Sequence, residues 1–286
     1  MEVYSHEDAG TKPFMSRMPK ITEQVETLKL PYWLFVENAS PTGIVIIGKE
    51  PIQLLAPPGT TMAFIDLLDM KSSRDIIGTF ATEALKLVSQ RNAEYALAKL
   101  PSEQDEAIQE FQTKGFKEFD DCYHMICKLG KTYSPSTELE FRQIRKEEMR
   151  RFIILTRKFL QDSPDVALTM ALRYMLELPD EFLDKYFMME EFYTAWKEEQ
   201  PVGILNINST KGLVSNLGVA PQQRGKGYGR QIMVFGLHQL KRKGCEQAYL
   251  RVHVKNKPAV HLYETLGFVK AQRYKRFVWR ALPSFL

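Results

Sequence analysis

The chain has 286 residues, 44% of them hydrophobic and 26% charged, with a net charge of +4. That length suggests two domains, each able to bury a core, and the composition is that of an ordinary globular protein. The mild positive charge suits an anionic small ligand and argues against a dedicated nucleic-acid binder. Three cysteines, Cys122, Cys127 and Cys245, show neither metal-ligand spacing nor an even disulfide framework. Reduced thiols in a cytoplasm, and no metal site, are therefore expected. The N-terminus has no apolar signal core, and no apolar run approaches the roughly 20 residues that span a bilayer, so neither export nor membrane insertion is expected.

Element patterning is clearest from Leu139 onward. Leu139–Ile144 reads as a strand, and Lys146–Leu160 as a helix with apolar residues at helical spacing, broken by Ser163 and Pro164. Pro164–Leu176 reads as a second helix. Phe192–Lys197 and Val202–Asn208 read as strands around a turn at Glu198–Pro201, and Leu213–Val219 as the next strand. Gln231–Arg242 is a helix closed by Lys243-Gly244. Ala248–Val254 is a strand, Pro258–Leu266 a short helix closed by Gly267, and Phe268–Arg273 and Phe277–Ala281 two final strands. The layout is mixed α/β.

Between the strand at Leu213–Val219 and the helix lies the most informative stretch, Arg224-Gly-Lys-Gly-Tyr-Gly-Arg230. Alternating glycines let the backbone bend sharply and turn successive N–H groups toward one point. The positive end of the following helix aims at the same point, and nearby cations add to the attraction. The pattern predicts a cradle for a phosphate or pyrophosphate. A tight turn with no ligand is the plain alternative.

Arg224-x-x-Gly227-x-Gly229 resembles the acyl-CoA signature of the GNAT acyltransferases, written Q/R-x-x-G-x-G/A. Asn256-x-x-Ala259-x-x-x-Tyr263-x-x-x-Gly267-Phe268 is similar to the segment that follows the fifth strand in that family. With the element order, the resemblance covers roughly Glu138 to Leu282.

The first half echoes the second. Ala107–Phe116 sets against Ala259–Phe268, Pro41-Thr-Gly43 against Pro201-Val-Gly203, and Arg74 against Arg224. The offset changes between these matches, which implies a longer connection in the first half, placed at Ile52–Gly59. An internal repeat of domain length means duplication. The expected architecture is two GNAT-like domains, 1–134 and 135–286, each a mixed β-sheet flanked by helices. In this alignment Gly225 and Gly227 become Asp75 and Ile77, and Tyr263 becomes Phe111. The stretch before Pro31 is too short for the opening strand and helix pair. The first domain is therefore expected to be degenerate and not to bind cofactor.

The resemblance implies direct attack of an amine on the thioester of acetyl-CoA, without a covalent acyl-enzyme. Backbone N–H groups of Arg224, Gly225, Lys226, Gly227, Tyr228, Gly229 and Arg230 would hold the pyrophosphate. The main chain of Leu217, Gly218 and Val219 would pair with the pantetheine arm, Asn256 would contact that arm, and Tyr263 would protonate the leaving sulfur. Ordinary alternatives stand beside these: Tyr263 as a core aromatic, Asn256 as a helix cap, Arg224 as a solvated turn residue. Many relatives place a Glu on or near the fourth strand, but Leu213–Val219 has no carboxylate. Ser215 and Asn216 are suited to holding a water. His253 is the nearest titratable candidate for a base, and Glu190, Glu191 and Asp162 are weaker ones. Asp162, Asp165, Glu198 and Glu199 would favour a cationic acceptor. The basic tail Lys270, Arg273, Lys275, Arg276 and Arg280 would favour an anionic one, or simply guard a sheet edge.

The reading that results is an acetyl-CoA-dependent N-acetyltransferase acting on a small-molecule or peptide amine. A glycine acyltransferase-like enzyme of longer acyl groups and a non-catalytic acyl-CoA sensor are the alternatives. A nucleoside triphosphate enzyme is disfavoured because the turn lacks a Gly-Lys-Ser/Thr ending. Nucleic acid and membrane are not expected as partners, and a homodimer is left open.

Overall fold

A computed structural model describes every residue except 28, 50–55, 57, 58, 70, 131, 132, 136 and 281–286. The connection expected at Ile52–Gly59 and the end of the strand at Ala281 lie largely outside these residues. Contacts divide the chain into two units, Met1–Asp121 with Tyr274–Leu286, and Cys122–Arg273. The units do not meet at a single point in the sequence, as a boundary at 134/135 would have them: the strand Lys117–Lys128 passes from the first to the second at 121/122, and the strand Val269–Trp279 passes back at 273/274.

The first unit runs β1 (Glu2–Ser5), α1 (Lys12–Met15), α2 (Pro19–Thr27), β2 (Tyr32–Glu37), β3 (Ser40–Lys49), β4 (Thr61–Leu67), α3 (Arg74–Gln90), β5 (Tyr95–Pro101) and α4 (Asp105–Thr113). β6 (Lys117–Lys128) enters the second unit at Cys122. That unit continues with β7 (Glu140–Gln143), α5 (Met149–Leu160), α6 (Val166–Tyr174), α7 (Asp180–Met189), β8 (Glu191–Lys197), β9 (Gln200–Asn208), β10 (Leu213–Val219), α8 (Tyr228–Arg242), β11 (Gln247–His253) and α9 (Lys257–Thr265). β12 (Val269–Trp279) returns to the first unit at Tyr274. A strand and two short helices therefore do precede Pro31, against expectation, with β1 pairing antiparallel to β2. The two expected final strands are one continuous strand, and α7 is an element the sequence pattern did not reveal.

The first unit's strands follow the order β1-β2-β3-β4-β5-β12 and the second's β6-β11-β10-β9-β8-β7. Neighbours are antiparallel except β4 with β5 and β10 with β11, which are parallel. Each unit closes with a strand that follows the other unit's last helix. After α4, β6 pairs with β11, from Cys122↔His253 to Lys128↔Gln247. After α9, β12 pairs with β5, from Tyr274↔Pro101 to Trp279↔Ala96.

The repeat is visible in local geometry. The β2–β3 turn at Asn38-Ala39 and the β8–β9 turn at Glu198-Glu199 both hold two residues at positive φ. This is the two-residue hairpin whose twist matches the strands, built here without glycine. Gln200 and Pro201, expected in the turn, already belong to β9. On β3, a Cβ at Gly43 would lie 2.2 Å from the ring of Phe80 on α3, and on β9 a Cβ at Gly203 would lie 2.2 Å from Ile232 Cδ1 on α8. Both glycines let a helix sit close to its sheet. In the first unit Phe35, Ile65, Phe80, Phe111 and Phe277 share one core. In the second, Ile232, Met233, Leu237 and Leu240 of α8 pack on Leu205, Ile207, Val214 and Leu250. Burial on this scale is the dominant stabilising term. Among the described residues no helix is long and apolar enough to cross a membrane.

Replacing Gly203 by Val forces the new side chain into Ile232 and toward the Gly218 carbonyl, 3.0 Å from the Cβ position. We expect a loss of about 1–3 kcal/mol in denaturant-unfolding stability, as for other overpacked cores; an unchanged midpoint would show that α8 moves freely.

Candidate active site

The site grows from a parting of strands. β10 and β11 pair only at Leu213–Tyr249 and Val214–Leu250. The register of β10 against β9 then shifts between Val214 and Asn216, so Ser215 forms a bulge. A bulge bends its strand and increases its twist. Beyond it β10 keeps its bonds to β9, with Leu217↔Leu205, Gly218↔Ile204 and Val219↔Gly203. Its other edge is released from β11. A cavity of about 100 Å³ occupies the opening, lined by Leu160, Asp165, Ser215, Asn216, Leu217, Arg251, His253, Asn256 and Tyr263 among others. Main-chain groups of Leu217–Val219 on this edge need a partner, and an extended amide-bearing ligand can supply it.

The glycine turn follows at once. Pro221–Gln223 form a 3₁₀ turn, Arg224 is extended, and Gly225 and Gly227 stand at φ +79° and +82°. A Cβ at either glycine would meet nothing within 4 Å, so the turn is open to solvent. α8 starts at Tyr228, a turn earlier than the sequence pattern indicated, with Gly227 as its cap residue. Arg224 N–H donates to Pro221 O at 3.4 Å, and Arg230 N–H to Gly227 O at 3.1 Å. Among the described residues no backbone carbonyl accepts from the N–H groups of Gly225, Lys226, Gly227, Tyr228 or Gly229. These are the unsatisfied donors of a helix start, where an anion is favoured.

The side chains in this stretch have separate tasks. The Arg224 guanidinium donates to Phe159 O at 2.9 Å and to Asp162 Oδ2 at 3.1 Å, so it ties the turn to the end of α5 and leaves the cradle to the main chain. Lys226 Nζ donates to Gln223 Oε1 at 2.8 Å, and Arg230 Nη1 to Thr265 Oγ1 at 3.1 Å; both residues are exposed. Tyr228 is buried in the core and offers only its N–H. Gly229 allows close packing, since a Cβ there would touch Leu262 at 3.4 Å.

Tyr263 and Asn256 reach the cavity from α9 and its start. Tyr263 is 8% exposed, and burial pushes its phenol up to about 12. No hydrogen bond from a described group reaches its hydroxyl, and the residue lines the cavity. Asn256 Oδ1 accepts from Ala259 N–H at 3.3 Å, so it caps α9 and lines the cavity as well. His253 is buried on β11, and its Nδ1 accepts from Lys255 N–H at 3.1 Å. That bond commits the Nδ1 lone pair and disfavours this nitrogen as a base.

The acidic and basic candidates are mostly engaged elsewhere. Asp165 caps α6 through Leu168 N–H and pairs with Arg251 at 2.5 Å. Glu199 pairs with Arg142 at 3.0 Å and Glu191 with Lys243 at 2.9 Å. Lys270 pairs with Glu264, Lys275 with Glu118 and Arg276 with Asp120, while Arg280 lies over the Trp279 ring. The tail therefore offers a set of ion pairs rather than a free basic surface. Glu190, at the end of α7, is different. Its Oε1 accepts from Ser215 Oγ at 2.5 Å and its Oε2 from Asn206 Nδ2. Asn206 and Arg251, both at this site, drew no attention in the sequence. A polar Asn inside the apolar run Val202–Asn208 was the available signal for the first.

Residues 157–268 match the model of the Acetyltransferase (GNAT) family. A mycothiol acetyltransferase of Thermobispora bispora is 44% identical over 59 residues, 21% of this chain and 20% of the relative. An N-alpha-acetyltransferase of Arabidopsis thaliana is 29% identical over 75 residues, 26% of this chain and 40% of the relative. The chain thus spans about a fifth to two fifths of the length of these two relatives. Among solved structures, a GCN5-related N-acetyltransferase of Sphaerobacter thermophilus superposes with a TM-score of 0.59 at 14% identity, covering 86% of this chain and 79% of that one. A tandem GNAT protein from the clavulanic acid biosynthesis pathway gives 0.56 at 14% identity, covering 89% and 83%. The described architecture is accordingly a GNAT fold, and its second unit contains the segment, residues 157–268, that matches the GNAT family model.

Proposed function

We propose that the second unit is an acyl-CoA-dependent N-acetyltransferase that acylates a primary amine. The observation that carries this reading is the alignment of three features in one unit: the released edge of β10, the open glycine turn at its end, and a phenol at the cavity between β10 and β11. The residues fit acyl-CoA. N–H groups of Gly225 to Gly229 would hold its pyrophosphate, and the edge at Leu217–Val219 its amide-bearing arm. When bound, acyl-CoA supplies an activated acyl carbonyl. The main chain at the released edge holds that carbonyl in place and donates to its oxygen as negative charge develops there. Tyr263 holds a proton at its hydroxyl for the departing sulfur. The small cavity favours a short acyl group, such as acetyl, over a long chain. The three free cysteines fit a reducing compartment such as the cytoplasm.

The same reading makes the first unit a degenerate copy. There the parallel pair β4 and β5 stays together over four positions, Met62↔Tyr95 to Ile65↔Ala98. α3 begins at Arg74-Asp75, and Arg74 Nε is bound to Glu110 Oε1 at 2.6 Å. A carboxylate stands where the second unit has Gly225, which repels an anion.

Gly227→Val puts a β-branched residue at φ +82° and its methyls over the free N–H groups. We expect CoA affinity, measured by calorimetry, to fall about 100-fold, the equivalent of roughly one or two charge-assisted hydrogen bonds. Unchanged affinity removes the cradle. Tyr263→Phe should lower kcat roughly 100-fold with CoA affinity intact. Because the phenol is pushed up to about 12, it keeps its proton across neutral and mildly alkaline pH, so the deficit should be the same throughout that range. Equal turnover would reduce Tyr263 to packing. A screen of amines with acetyl-CoA, following free thiol, tests the activity itself.

A further inference from the structure

Leu160, the last residue of α5, lies against the released edge of β10 and lines the cavity. Three features fix it there. Gly218 makes its seat: a Cβ at that position would lie 3.1 Å from Leu160 Cδ2 and 3.2 Å from its Cγ. Gly218 does not stand at positive φ, so its backbone would accept alanine and only space calls for glycine. Arg224 clamps the chain on both sides of Leu160, donating to Phe159 O at 2.9 Å and to Asp162 Oδ2 at 3.1 Å. Its Nε also donates to Val219 O at 3.4 Å, so one guanidinium joins the end of α5 to the end of β10. Last, Ser163 N–H donates to Leu160 O at 3.0 Å. The neighbouring wall is equally firm. Asp165 is bound to Arg251 and cannot recede without leaving a charge unpaired.

We propose that Leu160 sets the length of the acyl group this site accepts. This rests on the acyl-CoA reading above and adds to it the side chain that decides between acyl groups. The edge at Leu217–Val219 has Leu160 against its middle residue, so an acyl end entering the cavity from that edge meets Leu160. A cavity of about 150 Å³ takes a benzene ring. One of about 100 Å³, bounded by Leu160 and by the Asp165–Arg251 pair, takes an acetyl group and lacks room for a hexanoyl chain. Protein interiors are close-packed, so a clamped leucine resists displacement and a chain that needs its place is refused. Arg224 is a positioning residue here: it holds Leu160 in place and does not line the cavity.

Titration calorimetry on the full chain with CoA, acetyl-CoA and hexanoyl-CoA tests this without an acceptor amine. Acetyl-CoA should bind about 10-fold more tightly than hexanoyl-CoA, the discrimination a filled pocket makes. L160A should erase most of that preference, raising the hexanoyl-to-acetyl affinity ratio about 10-fold. R224Q, which frees the end of α5, should raise the ratio in the same direction. G218A works the other way. Its methyl drives Leu160 into the cavity, so acetyl-CoA should lose about 10-fold relative to CoA, and G218A/L160A should regain it. Should L160A fail to fold, L160V takes its place with a smaller rise. Equal affinities for the two thioesters in the unaltered chain overturn the inference and leave the acyl-CoA reading standing. So does a ratio that the Leu160 substitutions leave unchanged, or a G218A loss that L160A does not restore. No binding of CoA itself overturns both.

Discussion

Two residue pairs hold β10 to β11, and after them the strands separate. The cavity and the released edge of β10 depend on that separation. Breaking a parallel ladder inside a sheet leaves donors and acceptors without partners, a cost a fold tolerates only where another group takes their place. The bulge at Ser215 sets where the ladder ends, because one extra residue on β10 cannot stay in register with β9 and keep its pairing with β11. The released edge then runs directly into the glycine turn. Main-chain amides thus stand unpaired first along an edge and then around a helix start, with few side chains in the way. Leu160 closes one wall and Gly218 admits it, since a Cβ there would come within 3.1 Å of Leu160 Cδ2.

The two units show what the same plan becomes with and without that separation. Both hold a glycine under a helix, a two-residue hairpin at positive φ, and a last helix ending in a left-handed glycine, Gly115 or Gly267. They differ in the middle of the sheet. Where the second unit opens a polar cavity, the first keeps its parallel pair closed and buries Tyr95 and Phe111. The hydroxyl of Tyr263 has no counterpart in Phe111, which packs against Phe80 and Phe116. One copy spends its sheet on packing and the other on an opening.

Much of this was legible in the sequence, for a physical reason. A left-handed backbone favours glycine, so Gly225, Gly227 and Gly267 betray their conformation from the letters alone. Strand alternation and helix spacing likewise placed β8 to β11 and α8 to within a few residues. What the sequence hid is tertiary. α7 carries exposed Phe182, Met188 and Met189 beside buried Leu183, so its apolar residues mark no single face. Arg224 looks like a cation for an anion, but its guanidinium serves α5. Glu190 looks like a stray acid at a helix end until Ser215, 25 positions away, and Asn206, 16 positions away, close around it. The crossing of β6 and β12 between units left no trace either, because an alternating strand fits any edge of suitable register.

That crossing has a consequence for how the molecule comes into being. The first unit's sheet includes Tyr274–Trp279, paired along β5 from Ala96 to Pro101. A nascent chain therefore cannot finish its leading half when that half leaves the ribosome; β5 stays uncovered on one side while more than 150 further residues are made. The order of synthesis and the order of completion are uncoupled. The two halves mature together, late, through contacts between residues that lie far apart in the sequence.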